Sequence, residues 1–295
     1  MEKILANTIS PTEEMLAYET LWAMEGKTLK SIATMFKEYP VLPTELLRIS
    51  SDMFEIPALQ TEVKKAIEVK HGFSVCVNGT FQYPQKLREA RYPIELFYYK
   101  GDLELLNSPC VSVVGSRSCS DEGKRRAAKL VRGLVEADYT VVSGLALGVD
   151  TVALETTMDC GGKVVGVIGT PIDQYYPKEN SELQDLIAKD HLLISQVPFY
   201  RYQTEHFRNR RIYFPQRNET MSALSEATII IEAGETSGTL TQARAAIAQG
   251  RKLFILNSCF ENKSLSWPKL YEEKGAIRVR DFEDIFSNLE GKVCA

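Results

Sequence analysis

Apolar residues gather in short, nearly unbroken runs, and four of these runs end in glycine loops that lead into helical patterns. The runs are Val111 to Val114, Thr140 to Val142, Val164 to Ile168 and Thr228 to Ile231. Their loops read Gly115-Ser116-Arg117, Ser143-Gly144-Leu145-Ala146-Leu147-Gly148, Gly169-Thr170-Pro171 and Gly234-Glu235-Thr236-Ser237-Gly238-Thr239. Val and Ile runs without polar alternation predict strands buried on both faces, hence a parallel sheet with helices on each side. In such a sheet the loops meet at the carboxyl edge of the strands, where ligands bind.

The regular alternation begins at Val111. It predicts helices over Asp121 to Ala137, Asp150 to Cys160 and from near Glu179, with further strands at Leu192 to Ser195 and Leu253 to Leu256. Two more helices are predicted from about Met221 and Thr239, and the tail reads as a helix (Leu265 to Lys274), a strand (Ala276 to Val279) and a helix (Phe282 to Leu289). Before Gly72 the pattern is purely helical. Ser10 caps a helix with Pro11 at its first position, apolar residues from Leu16 to Phe36 suggest amphipathic helices parted near Gly26, and Leu46 to Ile49 and Asp52 to Lys70 supply the rest. Short β-rich runs at Phe73 to Val77 and Tyr92 to Tyr99 fit strands flanking the main sheet. The chain thus divides into a small helical domain, residues 1–72, and an α/β domain, residues 73–295.

At 295 residues the chain can bury a core without staples. Its net charge of −4 means that any attraction for nucleic acid rests on a local basic patch. Six scattered cysteines, without a Cys-x-x-Cys pair and with only three histidines, make a poor zinc or disulfide framework and fit a reducing cytosol. Met1 to Asn7 lacks a signal-peptide core, and no run nears the roughly 18 apolar residues of a membrane helix. The sequence reads as cytoplasmic, with no membrane partner.

Several segments could carry chemistry. Gly115, Ser116 and Arg117 stand between a strand and a helix, so they form either an anion site, with Arg117 forking onto phosphate, or a plain tight turn. Gly144 belongs to the second loop, which ends at Asp150, whose commonest role in that setting is to cap a helix. Tyr175, Tyr176 and Lys178 place aromatic faces beside a cation, suited to single-stranded nucleic acid or to simple loop packing. The segment from Arg201 to Arg217 is the most basic. Arg201, Arg208, Arg210, Arg211 and Arg217 alternate there with Tyr202, Phe207, Tyr213 and Phe214 against the single acid Glu205, a composition that favours phosphates and bases. Ser237, Gly238 and Thr239 offer hydroxyls and a helix start for a second phosphate, or merely a capped turn. No Walker lysine, histidine-rich metal set or nucleophile elbow is present, so the sequence predicts no cofactor, no metal and no catalytic residue.

Taken in order, these segments resemble the DprA (Smf) family of DNA-processing proteins of bacterial transformation. The resemblance runs through Phe81 to Leu87, Tyr99 to Leu103, Val113 to Arg117, Val142 to Asp150, Tyr176 to Asn180, Phe214 to Asn218, Ala223 to Ser225 and Ile231 to Arg244. It implies an extended Rossmann-like, mostly parallel sheet with helices on both faces, preceded by a small helical domain. It also implies a homodimer that binds single-stranded DNA and helps load RecA recombinase, without catalytic turnover. By position it marks Arg117, Lys178 and Arg217 as contacts, Arg217 standing with Asn218, a further candidate, in the Arg-Asn motif. Leu147 stands where the family usually has a basic residue, Leu154 where it often has histidine, and Asn257-Ser258 replaces a usual Pro-Gly. Those altered loops motivate a second reading, a family-like antitoxin or phage-defence component acting through a cognate partner protein. A third is a nucleotide phosphoribohydrolase-like enzyme, although Gly238-Thr239 is followed by Leu240, Thr241 and Gln242 and not by the carboxylate such enzymes need.

Overall fold

A computed structural model describes residues 9–50 and 56–289. Helices α1 (Pro11–Ala23), α2 (Leu29–Glu38), α3 (Pro43–Ile49) and α4 (Ile56–Ile67) come first. Pro11 and Pro43 each occupy a first helical position, where a missing N–H costs nothing, and Thr28 and Ser31 cap α2 reciprocally. The expected start of the fourth helix at Asp52 lies outside the described residues, as do Met1 to Asn7 and Cys294.

Strand β1 (Ser74–Val77), helix α5 (Gln85–Arg88) and strand β2 (Leu96–Gly101) follow, and then the main alternation. It runs β3 (Cys110–Val114), α6 (Asp121–Glu136), β4 (Thr140–Ser143), α7 (Val149–Asp159), β5 (Val164–Ile168), α8 (Ser181–Asp190) and β6 (Leu192–Ser195). Helices α9 (Phe199–Thr204) and α10 (Tyr213–Leu224) lead to β7 (Ala227–Ile230), α11 (Thr239–Ala248) and β8 (Lys252–Leu256). The tail adds α12 (Asn257–Glu261), α13 (Trp267–Glu272), β9 (Ile277–Val279) and α14 (Glu283–Phe286).

The strands form one nine-stranded sheet in the order β1-β2-β6-β5-β4-β3-β7-β8-β9. From β6 to β9 every pairing is parallel, while β1 and β2 add an antiparallel edge. Alternate residues feed two cores. Val111, Val113, Val141 and Ile229 pack with Leu130, Val131 and Leu134 of α6, while Val114, Val142 and Ile230 join a larger core with Met221 and Leu224 of α10. That larger core runs without a break into Tyr18, Leu21, Ile32 and Phe36, so the N-terminal helices pack directly onto the β1–β2 end of the sheet. No helix among the described residues is long and apolar enough to cross a membrane.

The mostly parallel sheet with helices on both faces and a preceding helical region is the architecture anticipated from the apolar runs. Local corrections are instructive. The helix expected from about Met221 begins at Tyr213, eight positions earlier, so Arg217 and Asn218 sit on a helix and not on an extended basic loop. Between α9 and α10 the basic segment forms a 3-10 turn, Asn209–Ile212. A similar turn, Lys178–Asn180, precedes α8, and the expected tail helix is shorter, preceded by the unforeseen α12.

Candidate nucleic-acid interface

The chain runs from β3 outward through β4, β5 and β6, then returns to place β7 on the opposite side of β3. This reversal opens a crevice between the carboxyl ends of β3 and β7, the usual binding place in doubly wound sheets. The crevice holds about 790 Å³ and is lined by Gly115, Ser116, Arg117, Ala146, Asp150, Arg211, Phe214, Arg217, Asn218, Ser237, Gly238 and Thr239, among others. Segments far apart in sequence, including the first loop, the start of α10 and the fourth loop, therefore share one space.

Backbone contacts between loops shape the walls. Ser116 N donates to Glu232 O at 2.7 Å, and its own carbonyl accepts from Val149 N at 3.2 Å. Thr239 Oγ1 donates to Gly115 O at 3.1 Å, Ser237 Oγ accepts from Thr239 N at 3.2 Å, and Asn218 Nδ2 donates to Gly238 O at 3.2 Å. Gly148 adopts φ +81°, and a Cβ there would stand 2.3 Å from Ser116 O, so glycine lets the second loop press against the first.

Two of the donors at the start of α6 have acceptors within the protein. Ser120 Oγ accepts from Gly123 N, while the Glu232 carboxylate accepts from Ser120 N at 3.0 Å and from Ser120 Oγ at 2.6 Å. Glu232 thus sets a negative charge at the N-terminal end of α6, where the helix dipole favours one. Asp150 is likewise not a helix cap: Gly148 is the cap residue, and Asp150 Oδ2 accepts from Gly144 N at 3.2 Å, drawing the second loop back onto α7.

Arg217 lies beneath the crevice, 5 % exposed, donating through Nη1 to Val167 O at 2.9 Å. A Cβ on Gly144 would fall 1.5 Å from that Nη1, so the glycine exists to admit the guanidinium. Burial lowers the Arg217 pKa to about 10 against the opposing pull of Asp150, so it remains a cation at neutral pH. Burial raises the Asp150 carboxyl, and Arg217 works in the other direction. Among the described residues Arg217 Nε has no hydrogen-bond partner, and neither does Oε1 of Gln242, a buried side chain on the crevice wall.

Exposed cations stand around this buried one. The Arg117 guanidinium lies 5.8 Å above the Phe214 ring, and Phe214 meets Tyr176 at 5.1 Å, so an arginine and two aromatics form one ledge from the first loop to the third. Arg211 is exposed at the crevice mouth. Lys178 is exposed at the end of the third loop but does not line the crevice. Its neighbour Asn180 anchors that loop by donating to Leu145 O and Thr151 Oγ1, both at 2.8 Å. Arg210 is spent within its own segment, donating to Glu205 O and Gln203 O while stacking 4.7 Å from Tyr202. Arg208 is exposed beside the exposed Phe207. Arg201 is paired with Glu205 at 2.9 Å.

Of the residues singled out from sequence, Gly115, Ser116, Arg117, Arg211, Arg217, Asn218, Ser237, Gly238 and Thr239 converge on the crevice. Gly144 lies buried under it, and Lys178, Arg208 and Arg210 lie outside its lining. Sequence reasoning missed Asn180, Gln242 and the structural use of Glu232; only Glu232, between Ile231 and Ala233, carried a signal, as a lone charge closing an apolar run.

A model of the family described as DNA recombination-mediator protein A matches residues 74–290. DNA processing protein DprA of Streptococcus pneumoniae is 38 % identical over 209 residues, covering 70 % of this chain and 71 % of that protein. DprA of Bacillus subtilis is 29 % identical over 273 residues, 89 % of each chain. The X-ray structure of the Streptococcus pneumoniae protein superposes with a TM-score of 0.77 at 30 % identity, covering 97 % of this chain and all of that one. A structure of DNA processing protein A from Helicobacter pylori, described for its single-stranded DNA binding mode, superposes with a TM-score of 0.62 at 27 % identity over 73 % of this chain and 94 % of that one. With a family match spanning residues 74–290, most of its length, this chain belongs to the DNA recombination-mediator protein A family.

Proposed function

We propose that this protein binds single-stranded DNA in the crevice between β3 and β7 and acts in DNA processing and recombination without catalytic turnover. The observation that carries this reading is the ledge of Arg117, Phe214 and Tyr176 beside a mouth bearing Arg211, over Arg217, a cation at neutral pH. Aromatic faces accept unpaired bases of any identity, and the cations take the backbone. The description of the Helicobacter pylori relative, which names single-stranded DNA, supports it. Arg117, Arg211, Lys178 and Arg208 are assigned to phosphates, and Ser116, Asn218, Ser237, Gly238 and Thr239 to hydrogen bonds from the walls. Arg217 and Gly144 act from below, through charge and shape.

The state of the acids supports a non-catalytic role. Glu232 is held by Ser120 and Glu235 accepts from Ser266 N at 2.9 Å, so neither is free to act on a nucleotide. Family membership supports a homodimer and a RecA-type recombinase as partners and a cytoplasmic location, and the start of the family match at residue 74 supports a domain boundary near Gly72. The test is a titration of single- and double-stranded oligonucleotides at two salt concentrations. Single strands are expected to bind more tightly, and Arg117→Ala combined with Arg211→Ala to weaken binding at least tenfold, the cost of about one charge-assisted contact or more. Unchanged affinity in that double variant would refute the assignment.

A further inference from the structure

Glu19 is 0 % exposed in the middle of α1, in a helical region that contributes nothing to the crevice lining. Its carboxylate reaches out of that region to the basic segment. One oxygen accepts from Phe199 N at 2.7 Å and from the Tyr98 hydroxyl of β2, and the other accepts from Tyr200 N at 3.0 Å. Phe199 and Tyr200 are the first two residues of α9, whose preceding residue, Pro198, makes no side-chain cap. A side chain 180 positions away therefore caps the helix that opens the Phe199 to Arg217 segment.

Further contacts repeat the same grip. Tyr200 Oη donates to Glu62 of α4 at 2.8 Å, and Lys70 Nζ, beyond the end of α4, lies 5.6 Å from the Phe199 ring. Lys70 also pairs at 2.6 Å with Asp173, in the loop that carries Tyr176 and Lys178. The helical region thus holds α9, which leads through the basic segment to Arg211 and Phe214 of the crevice lining, and the loop whose Tyr176 packs on Phe214.

Stability alone does not explain the buried acid. Burial pushes the Glu19 carboxyl up to about 7, so keeping it ionised above neutrality costs folding free energy. Among the described residues the ionisable groups facing it are the hydroxyls of Tyr18 on its own helix, Tyr98 on β2 and Tyr213 on α10, each held neutral by burial, and no cation among them offsets the charge.

We propose that Glu19 is a positioning residue for the single-strand interface, through which the N-terminal helices fix α9 and the arginine-aromatic segment behind it. This rests on the single-strand-binding reading above. Gln at this position keeps one acceptor and turns an N–H group toward a backbone N–H of α9, so one of the two cap bonds is lost while the shape is kept.

The test compares wild type and Glu19→Gln at pH 8 by thermal melting, amide hydrogen exchange over 199–213, and single-strand affinity alone and combined with Arg211→Ala or Arg117→Ala. The expected result is an unchanged or higher melting temperature, faster exchange at the start of α9, and affinity about fivefold lower, as one lost hydrogen bond's worth of preorganisation would give. The loss should shrink when Arg211 is already alanine and persist when Arg117 is. Wild-type exchange over 199–213, or wild-type affinity in Glu19→Gln, would overturn the proposal, as would a loss equally large in both backgrounds. If Glu19→Gln does not fold, Tyr200→Phe, which cuts only the contact with Glu62, should show a smaller loss of affinity and the same dependence on Arg211, and its absence would equally overturn it. A wild-type protein that binds no single strand at low salt would instead refute the functional reading, while hydrogen exchange still reports whether Glu19 holds the segment.

Discussion

Two buried ionisable residues, Arg217 and Glu19, show how position within a fold changes what a charge can do. As a sequence element Arg217 looks like a phosphate contact; buried against Val167 O and fitted over Gly144, it acts as a strut that also sets the potential of the crevice floor. Arg217→Ala should therefore lower stability by about 2–4 kcal/mol, through a cavity and an Asp150 left without its opposing charge, and this is read as a lower melting temperature. Gly144→Ala should reproduce much of that loss, because its methyl group claims the space of the guanidinium. Arg117→Ala, on an exposed side chain, should weaken binding with little change in melting. For Glu19 the sign of the pH effect follows from a carboxyl raised from 4.5 to about 7 on folding. Between these values the folded state holds a proton that the unfolded state has released, so Glu19's contribution to stability falls as pH rises from about 4.5 to 7 and is flat above. The full difference is about 3 kcal/mol. Melting curves of wild type minus Glu19→Gln across pH 5 to 8 should show this slope, and a flat difference would contradict it.

At the scale of elements, legibility followed the strength of the periodic signal. The four apolar runs became β3, β4, β5 and β7, neighbours in the sheet, because Val-rich runs buried on both faces have few other options. Tyr213 to Leu224 hides its helical periodicity because Pro215 stands near its start and polar residues from Gln216 to Thr220 interrupt the apolar pattern; the proline is harmless in the first turn, and α10 is buried on more than one side. The crevice was legible as an address, from the glycine loops, and Arg117 as a cation on it. Contacts that depend on tertiary closure were not legible: Glu232 at the start of α6, Glu19 at the start of α9, and the stacking of Phe214 between Arg117 and Tyr176. That last arrangement is testable as an element. Phe214→Ala removes the centre of the ledge and should cost about 1–3 kcal/mol of single-strand affinity, measured by fluorescence anisotropy, with the same sign for purine and pyrimidine oligonucleotides because every base has a face to stack. A loss confined to one base would mean that Phe214 sits in a base-reading pocket.

For the whole molecule, the relevant balance is between a net charge of −4 and a small group of cations at one sheet edge. An acidic chain offers no general attraction to a polyanion, and at physiological salt the Debye length of about 8 Å confines electrostatics to nearby groups. Binding must then depend on few phosphates. The exposed cations placed on or near the crevice are Arg117, Lys178, Arg208 and Arg211, since Arg201 and Arg210 are committed to groups of their own segment. With about 0.7 counterions released per single-strand phosphate, four contacts give a slope of about −3 for log K against log salt. Arg117→Ala should reduce its magnitude by about 0.7 and weaken poly-dT and mixed sequences alike, whereas Arg217→Ala, measured below its lowered melting temperature, should shift affinity with little change in slope because a buried guanidinium releases no condensed ion. A wild-type slope several times steeper would require cations from beyond the crevice, as when a second copy of the chain extends the track, and sedimentation of the complex would then show more than one protein per short strand.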